Sequence, residues 1–564
     1  MRIGATLLAL ILLVSFATSV DVSTNKFGSL EIVNEHEGGI EKEIYFPEDS
    51  LYYDHLSRSQ FLRSSVEQGK INMKKMLSND ILKCEDAGHL PGEDFMFLPV
   101  FVGSLFNKTQ IIEYEGTCFK SLKFQMDFLP SEESPESVQV TVTASNKKSS
   151  LCREALFFST TERHHIEWLF FSRTHTFKFK NFDEDDMIDL NLSGLRTYLF
   201  CDGPVDTFVS VFNTLKLFIG GLGSNPKYPF IGSHVPEYME KENIKFVKNA
   251  LGWEMEKRDV TEIDFSDDEI HDGDFLAITR LDGLDEIIMW GTGSHVGHST
   301  VVLTIDGEKH IVESQDAWYW PKHKIQRNTF TQWKQWAKNC DFNVVVLPLK
   351  DELRKKFDSE KALQFFQSVE GMPYGYHNFL FSWIDTVNDN YPAVLAKDFI
   401  PIAFELFNQL LPSVMETFFL QAMNHRLDTK GLNYHQVVEE TNKRGTTLLE
   451  LMAQPELDGW MYSDGYSYVC SCFVVGIYKA AGLFGNMDIN AVEFTPRDVY
   501  MLNFFNTTAE LPEKCKTADP DLPYCQILGK YRLTLPGYST IDPYQHMNEH
   551  CESIGPDYVR PKGC

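Results

Sequence analysis

The sequence predicts an α+β protein in which an all-β segment precedes a larger mixed domain organised around a cysteine-bearing helix. Three observations carry the prediction. Leu122–Phe128, Val138–Thr143 and Thr176–Lys180 alternate apolar and polar residues, the period of strands with one buried face. Asp306-Gly307 separates the apolar runs His298–Ile305 and His310–Ser314, a strong short-range signal for a β-hairpin. Phe473, Ile477 and Ala481 recur at helical spacing behind Cys470, and Gly482 stands where a C-terminal cap belongs.

Taken from its start, the chain opens with Met1-Arg2, the apolar run Ile3–Val14 and the small residues Ala17-Thr18-Ser19. That pattern predicts a signal peptide over residues 1–19. No later run reaches about 18 apolar residues, so no integral membrane span is expected after cleavage. Asn107, Asn191 and Asn506 each head an Asn-x-Ser/Thr sequon. The expectation is a glycoprotein of the secretory pathway, destined for the extracellular space or a lysosome-like lumen. The 52 basic and 80 acidic residues leave a charge of −28, which argues against nucleic acid and anionic surfaces as electrostatic partners. Protonating all 17 histidines would bring the charge to −11, easing self-repulsion in an acidic compartment.

The 11 cysteines leave at least one thiol unpaired within an oxidised chain. Cys84, Cys118, Cys152 and Cys201 share the strand-rich segment and suffice for two bridges. Cys515, Cys525, Cys551 and Cys564 crowd the tail and suffice for two more. Cys340, Cys470 and Cys472 remain, and one of them is the expected odd thiol.

Residues 20–83 read as an acidic N-terminal arm, and residues 84–204 as a β-sandwich. Within the sandwich, Phe95–Val102 and Trp168–Phe171 are continuously apolar and are expected as central strands; Ser131–Pro135 and Ser145–Ser150 are turn-rich breaks. His164-His165 reads as a surface pair, and no Cys/His set at metal-ligand spacing occurs, so neither a metal nor a cofactor is expected. After Gly203-Pro204, residues Phe208 to Ile219 have helical spacing and open a second domain over 205–510. Residues 511–564 form a disulfide-rich tail, expected as stapled coil.

The chemistry concentrates in the second domain. A cysteine in the first turn of a helix faces N–H groups with no internal partner, which push a thiol toward its nucleophilic thiolate. His298 leads one strand of the hairpin, within reach of Glu313, Gln315 and Asp316 at the end of the other. A cysteine hydrolase needs this set: a thiolate, a histidine to take and return a proton, and a polar group to orient the histidine. His295 is the rival base, in the loop Gly293–Gly297. The structural alternative makes Cys470 a buried core cysteine or half of a disulfide.

Gly371-Met-Pro-Tyr374, the Cys470-Ser-x-Phe-Val helix start and the His298-led strand resemble the NlpC-type papain-like cysteine amidases. Because the histidine precedes the cysteine, the resemblance is to the circularly permuted branch, which includes YiiX-like and lecithin:retinol acyltransferase-like proteins. It covers roughly residues 270–482. It implies a permuted papain-like domain with Cys470 as nucleophile, His298 as base, Glu313 as orienting residue and Tyr374 lining the site, where its hydroxyl helps hold an oxyanion. Cys472 departs from the family pattern. So does a helical insert near 390–455, including Ala393–Leu411 and Val414–Met423, read as a lid, a substrate wall or extra packing. Trp333 and Trp336 read as core, while Trp318 and Trp320 are candidates for a cleft wall.

The resulting expectation is a thiol hydrolase cleaving a peptide-type amide through an acyl-enzyme. The alternatives are a lipid-directed acyl hydrolase or transferase of the same fold, and a catalytically idle module with Cys470 bridged to Cys472 or Cys340.

Overall fold

The computed structural model describes residues 100–544, apart from 130–136, most of 202–233, 316–323, most of 382–411 and several shorter stretches. The expected signal peptide, the arm at 20–83, the sequon at Asn191, Trp318, Trp320, and Cys551 and Cys564 lie outside the described residues, as does most of the connector helix after Pro204.

The chain is α+β, with three antiparallel sheets among the described residues. Two of them face each other across one apolar core. The first has the order β1 (Val100–Leu105), β8 (Leu195–Phe200), β5 (Glu154–Ser159), β6 (His164–Leu169). The second runs β2 (Ile112–Tyr114), β3 (Phe119–Leu129), β4 (Ser137–Lys147), β7 (Thr174–Phe179). The alternation read in the sequence is that of β3 and β4, which bury Leu122, Phe124, Met126, Val138, Val140 and Val142 against Leu156 and Phe158. Cys118 and Cys152 are bridged beside this core, and Cys201 is also disulfide-bonded. The expectation of two central strands is corrected. β1, which holds the described part of Phe95–Val102, and β6 are the two edge strands of their sheet; β6 ends at Leu169, and Phe170-Phe171 turn out into solvent. A continuous apolar run does not distinguish a central strand from an edge strand followed by an apolar turn.

The third sheet has six strands in the order β12 (Ile325–Thr329), β11 (Glu308–Ser314), β10 (His298–Ile305), β9 (Phe275–Thr279), β13 (Asn343–Leu347), β14 (Cys525–Leu528). Asp306 and Gly307 both hold positive φ at the β10–β11 turn, the backbone that an Asp-Gly pair adopts at least cost. The tail departs from the expected coil. It contributes edge strand β14, begun at Cys525, whose bridge to Cys515 ties it to the preceding helical turn.

Helices surround this sheet: α1 (Glu237–Leu251), α2 (Leu284–Thr292), α3 (Phe330–Asn339), α4 (Ser359–Val369), α5 (Tyr434–Lys443), α6 (Cys470–Ala480) and α7 (Pro496–Met501). α6 is apolar all round, which is how a helix enclosed by protein reads. It packs on β10, β11 and α4. The described part of the insert builds a second core from Phe404, Phe419, Met423, Tyr434, Val437 and Leu451. A π-helical turn over Glu416–Leu420 lets successive residues serve both cores. Phe418 meets Tyr376 in the main core, and Phe419 faces Tyr434 in the second.

The entry to α6 is crowded by backbone. Gly375 N–H donates to Tyr468 O (3.0 Å), and a Cβ on Gly375 would stand 2.4 Å from the Tyr468 carbonyl carbon and 2.6 Å from Val469 N. Neither neighbour is the free end of a side chain, so both chains must separate to admit even a methyl. Gly375→Ala is therefore expected to destabilise by about 1–3 kcal/mol, read as a lowered denaturant midpoint at unchanged m-value. An unaltered midpoint would contradict the crowding.

Candidate active site

Cys470 is the first residue of α6. Val469, at the N-cap, has extended dihedrals and offers no side-chain acceptor to the first turn. The first residue after it to bond back is Phe473, whose N–H donates to Val469 O (2.9 Å). The N-terminal donors of this helix therefore lie beside a sulfur, with the positive end of the helix dipole behind them. Ser314 Oγ donates to Tyr468 O (2.7 Å), fastening the end of β11 to the segment that leads into the helix.

The hairpin register explains what stands opposite. Val301 pairs with Val312 and Ile305 with Glu308. Carried three residues further, that register sets His298 across from Gln315. Glu313 then becomes its diagonal neighbour on the same face, within reach of long side chains. His298 Nε2 is 2.9 Å from Glu313 Oε2. With its amide nitrogen turned inward, Gln315 stands 2.7 Å from the same oxygen and 3.1 Å from Nε2. Trp333 Nε1 donates to Glu313 from the far side at 3.4 Å. His298 also hydrogen-bonds Cys470 through its side chain. Since Nε2 is engaged by Glu313, Nδ1 is the ring nitrogen left to face the sulfur.

All of these groups are buried, with Cys470 and His298 each 3 % exposed and Glu313 fully enclosed. Burial is the largest influence on His298 and lowers its pKa, but the hydrogen bonds to Cys470 and Glu313 and their negative charges outweigh it. The net effect raises it to about 10. His298 thus stands between the Cys470 sulfur and the Glu313 carboxyl.

The structure separates the two histidines. His295 stacks on Trp253 (4.1 Å between centroids, 10° between planes), and its Nδ1 is 2.7 Å from Thr534 O. Burial lowers it to about 4. The three thiols separate as well. Cys340, Cys470 and Cys472 are all free, so the bridges Cys470–Cys472 and Cys470–Cys340 are not formed. Burial pushes Cys340 up to about 12. Cys472, pushed up chiefly by burial and then by Cys470, donates to Val492 O (3.2 Å), away from the histidine. Only Cys470 of the three is hydrogen-bonded to His298.

Tyr374 is buried, with its ring against Tyr376 (5.1 Å) and Phe379 (6.0 Å). Pro373 bridges to Lys324 and Gly375 bonds Tyr468, so this tyrosine stands beside the chain leading to Cys470. A recess next to the same chain is lined by Asn378, Glu456, Trp460, Tyr462, Tyr466 and Tyr468, so residues just past the insert flank the approach to Cys470. Of the exposed sequons, Asn107 sits in a surface turn where Thr109 donates to its Oδ1, and Asn506 is half-buried, with its carbonyl accepting from Tyr538. Among the described residues no group of three His, Cys, Asp or Glu side chains stands together as a cation ligand set.

Sequence reasoning read Trp333 as core packing alone and did not single out the acidic turn before His298. Asp282, Asp285 and Glu286 are fully buried with Arg280. Arg280 Nη1 pairs with Asp282 (2.8 Å), and Arg280 N–H donates to Asp285 Oδ2 (2.5 Å). Asp285 lies flat on Gly297, where a Cβ would stand 2.2 Å from its Cγ. Glycine at 297 thus admits the carboxyl directly beneath the residue preceding His298. The clue in the sequence was that glycine.

No family model matches this chain, and no curated protein matches it. Among solved structures, the metalloprotein YiiX from Escherichia coli O157:H7 is similar over 36 % of this chain and 91 % of its own, at 13 % identity and a TM-score of 0.16. A likeness of that size carries no argument about this chain.

Burial, then the charges of Asp282 and Glu286, raise Asp285 well above the usual carboxyl range, and Glu286 is raised by burial and Asp282. A carboxyl raised on folding gives its full contribution below its unfolded pKa and loses it as pH rises through the folded value. Asp285→Asn keeps an acceptor for Arg280 N–H and removes the titration. It is expected to raise the melting temperature relative to wild type more at pH 8.5 than at pH 5.5. Equal changes at both would show that Asp285 does not carry the effect.

Proposed function

We propose that this chain is a thiol hydrolase that cleaves a peptide-type amide through an acyl-cysteine intermediate on Cys470. One observation carries the reading: His298 is hydrogen-bonded at once to Cys470 and to the buried carboxylate of Glu313. A thiolate, a base and an orienting group are the parts that nucleophilic cysteine chemistry requires. Burial instead pushes the thiols of Cys340 and Cys472 up, away from the thiolate form.

In this reading the Cys470 sulfur attacks the carbonyl carbon and the carbonyl oxygen takes up the negative charge. The uncapped N–H groups at the start of α6 would hold that oxyanion, with the Tyr374 hydroxyl as a further donor. His298, held as imidazolium, passes its proton to the leaving nitrogen as the carbon–nitrogen bond breaks. Water then attacks the thioester, giving a proton back to His298, and the acid leaves as the sulfur is restored. Glu313 keeps the imidazole in one orientation and stabilises its charge throughout, and Trp333 and Gln315 hold Glu313 in turn.

An amine must be protonated to leave, and the imidazolium beside Cys470 is the group that supplies the proton. In this reading the recess lined by Tyr462, Tyr466 and Tyr468, beside the chain that leads to Cys470, would take one side of the substrate. The disulfides Cys118–Cys152 and Cys515–Cys525 and the exposed sequon at Asn107 support a secretory-pathway lumen as the setting. Among the described residues no helix is long and apolar enough to cross a membrane.

Cys470→Ala and His298→Ala are each expected to reduce amide hydrolysis by at least about 10³-fold with the fold retained, whereas His295→Ala leaves catalysis near wild type. The purified protein would be assayed against a peptide library, with the acyl-enzyme sought by intact-mass spectrometry. Retained turnover in Cys470→Ala would end the proposal, and an effect confined to His295 would move the base there.

The pH profile gives an independent check. Because the imidazolium is the proton donor, kcat/KM is expected to fall as pH rises through about 10 rather than through the ordinary histidine value of 6.5. Glu313→Gln withdraws a charge that raises the histidine, so the basic limb should move downward. A limb that stays in place would show that Glu313 does not act on His298.

A further inference from the structure

Two of the four links that cross between the sheets of the sandwich lie together at one end of it. β4 ends at Lys147 and β5 begins at Glu154, while β6 ends at Leu169 and β7 begins at Thr174. Register places them together: Glu154 pairs with Leu169, and Thr143 with Thr174. The second link is Phe170-Phe171-Ser172-Arg173. Turns usually take Gly, Asn, Asp, Ser or Pro, for which exposure costs nothing. Here Phe171 is 64 % exposed and Phe170 38 %.

Cations surround these rings. Lys147 Nζ lies 6.0 Å and the Arg173 guanidinium 5.9 Å from the Phe171 centroid, and the Arg153 guanidinium is 5.4 Å from that of Phe170. Lys147 also donates to Phe170 O (2.7 Å) and Ser150 O (3.1 Å), which holds the tip in shape. Lys148, next in sequence, pairs with Glu115 (3.2 Å), the exposed carboxylate of this end. Of the other acids nearby, Glu154 is fully buried, bonded to Thr117 and Cys118 and pushed up by burial, and Glu167 is engaged by His165 and His175, the latter accepting from Arg173 (3.4 Å). Lys147, Arg153 and Arg173 make no ion pair with a carboxylate among the described residues. In a chain of net charge −28, this end is locally basic and locally apolar.

We propose that the Phe170-Phe171 tip, ringed by Lys147, Arg153 and Arg173, docks the protein on an anionic lipid surface. Two exposed rings stand among cations whose long stems can reach headgroups as the rings enter the acyl boundary. Charge complementarity commits the occupant. A lipid surface offers many phosphates to a small basic cluster and a soft apolar layer to the rings, whereas a flat protein face would leave the two rings without a matching pocket. The docking is independent of Cys470, so Cys470→Ala should bind as wild type does.

Cosedimentation of the full-length protein with phosphatidylcholine vesicles, with and without phosphatidylserine, tests the proposal. Binding is expected to the phosphatidylserine vesicles, to weaken as salt shortens the Debye length, and to be lost on neutral vesicles. Phe170→Ser with Phe171→Ser should weaken it at least about tenfold, and Arg173→Glu about fivefold or more, with cooperative melting retained. Hydrolysis of a soluble substrate by either variant should stay at the wild-type level. Absence of binding to the phosphatidylserine vesicles overturns the proposal, and so does binding that neither variant weakens. A tip that served a soluble protein partner would give the first of these results. Equal binding to neutral vesicles would remove the charge argument on which the choice of surface rests.

Discussion

A carboxylate in the interior of a sheet is the constraint to which the rest of this domain answers. Glu313 is fully enclosed, and an isolated charge in such a place would be strongly destabilising. It is tolerated because three elements bring it partners. The facing strand brings His298, its own strand brings Gln315, and helix α3 brings Trp333. Each partner is itself buried, so none can be exchanged for water without opening the core. The imidazolium that this carboxylate retains is then within hydrogen-bonding reach of the first residue of α6, whose approach is set by Ser314 and Gly375 gripping Tyr468 from two sides. Position and charge at Cys470 are both inherited from the way one acid is buried.

The same logic sorts residues of identical type. His295 and His298 are three positions apart, yet one is stacked on an indole with its pKa pressed down to about 4 and the other is raised to about 10. Cys470 and Cys472 lie in the same turn, but two residues on a helix point about 200° apart. One faces His298, and the other faces the carbonyl of Val492. Residue identity sets the range of chemistry available, while the neighbours decide which member of each pair can take part.

Much of this was legible in the chain before any coordinates. The Asp306-Gly307 pair specified the turn, the turn specified the register, and the register places His298 and Glu313 on one face. The apolar spacing behind Cys470 marked its helix. What was not legible came from contacts between segments distant in sequence. Trp333 reads as ordinary core from its helical spacing, and nothing local reports that its indole N–H reaches Glu313. Strand β14 has only four residues inside a cysteine- and proline-rich tail, too short a run for period-two alternation to identify. Phe170-Phe171 extended an apolar strand by composition, and only the change of sheet between β6 and β7 shows them as a turn. Asp285 carried no signal of its own; Gly297, against which it packs, did.

The order of the sheet has a consequence for how the molecule comes into being. β9 pairs with β10 early in the domain, but its other neighbour is β13, and the sheet is closed at that edge by β14, near residue 525. Helix α6 arrives after the hairpin that carries His298 and Glu313 has been made. A chain synthesised from its N-terminus can therefore fold the sandwich and the hairpin while Cys470 has yet to emerge. The thiol acquires its imidazole only when the sequence is almost complete. The contact between Cys470 and His298 is thereby tied to the late part of synthesis.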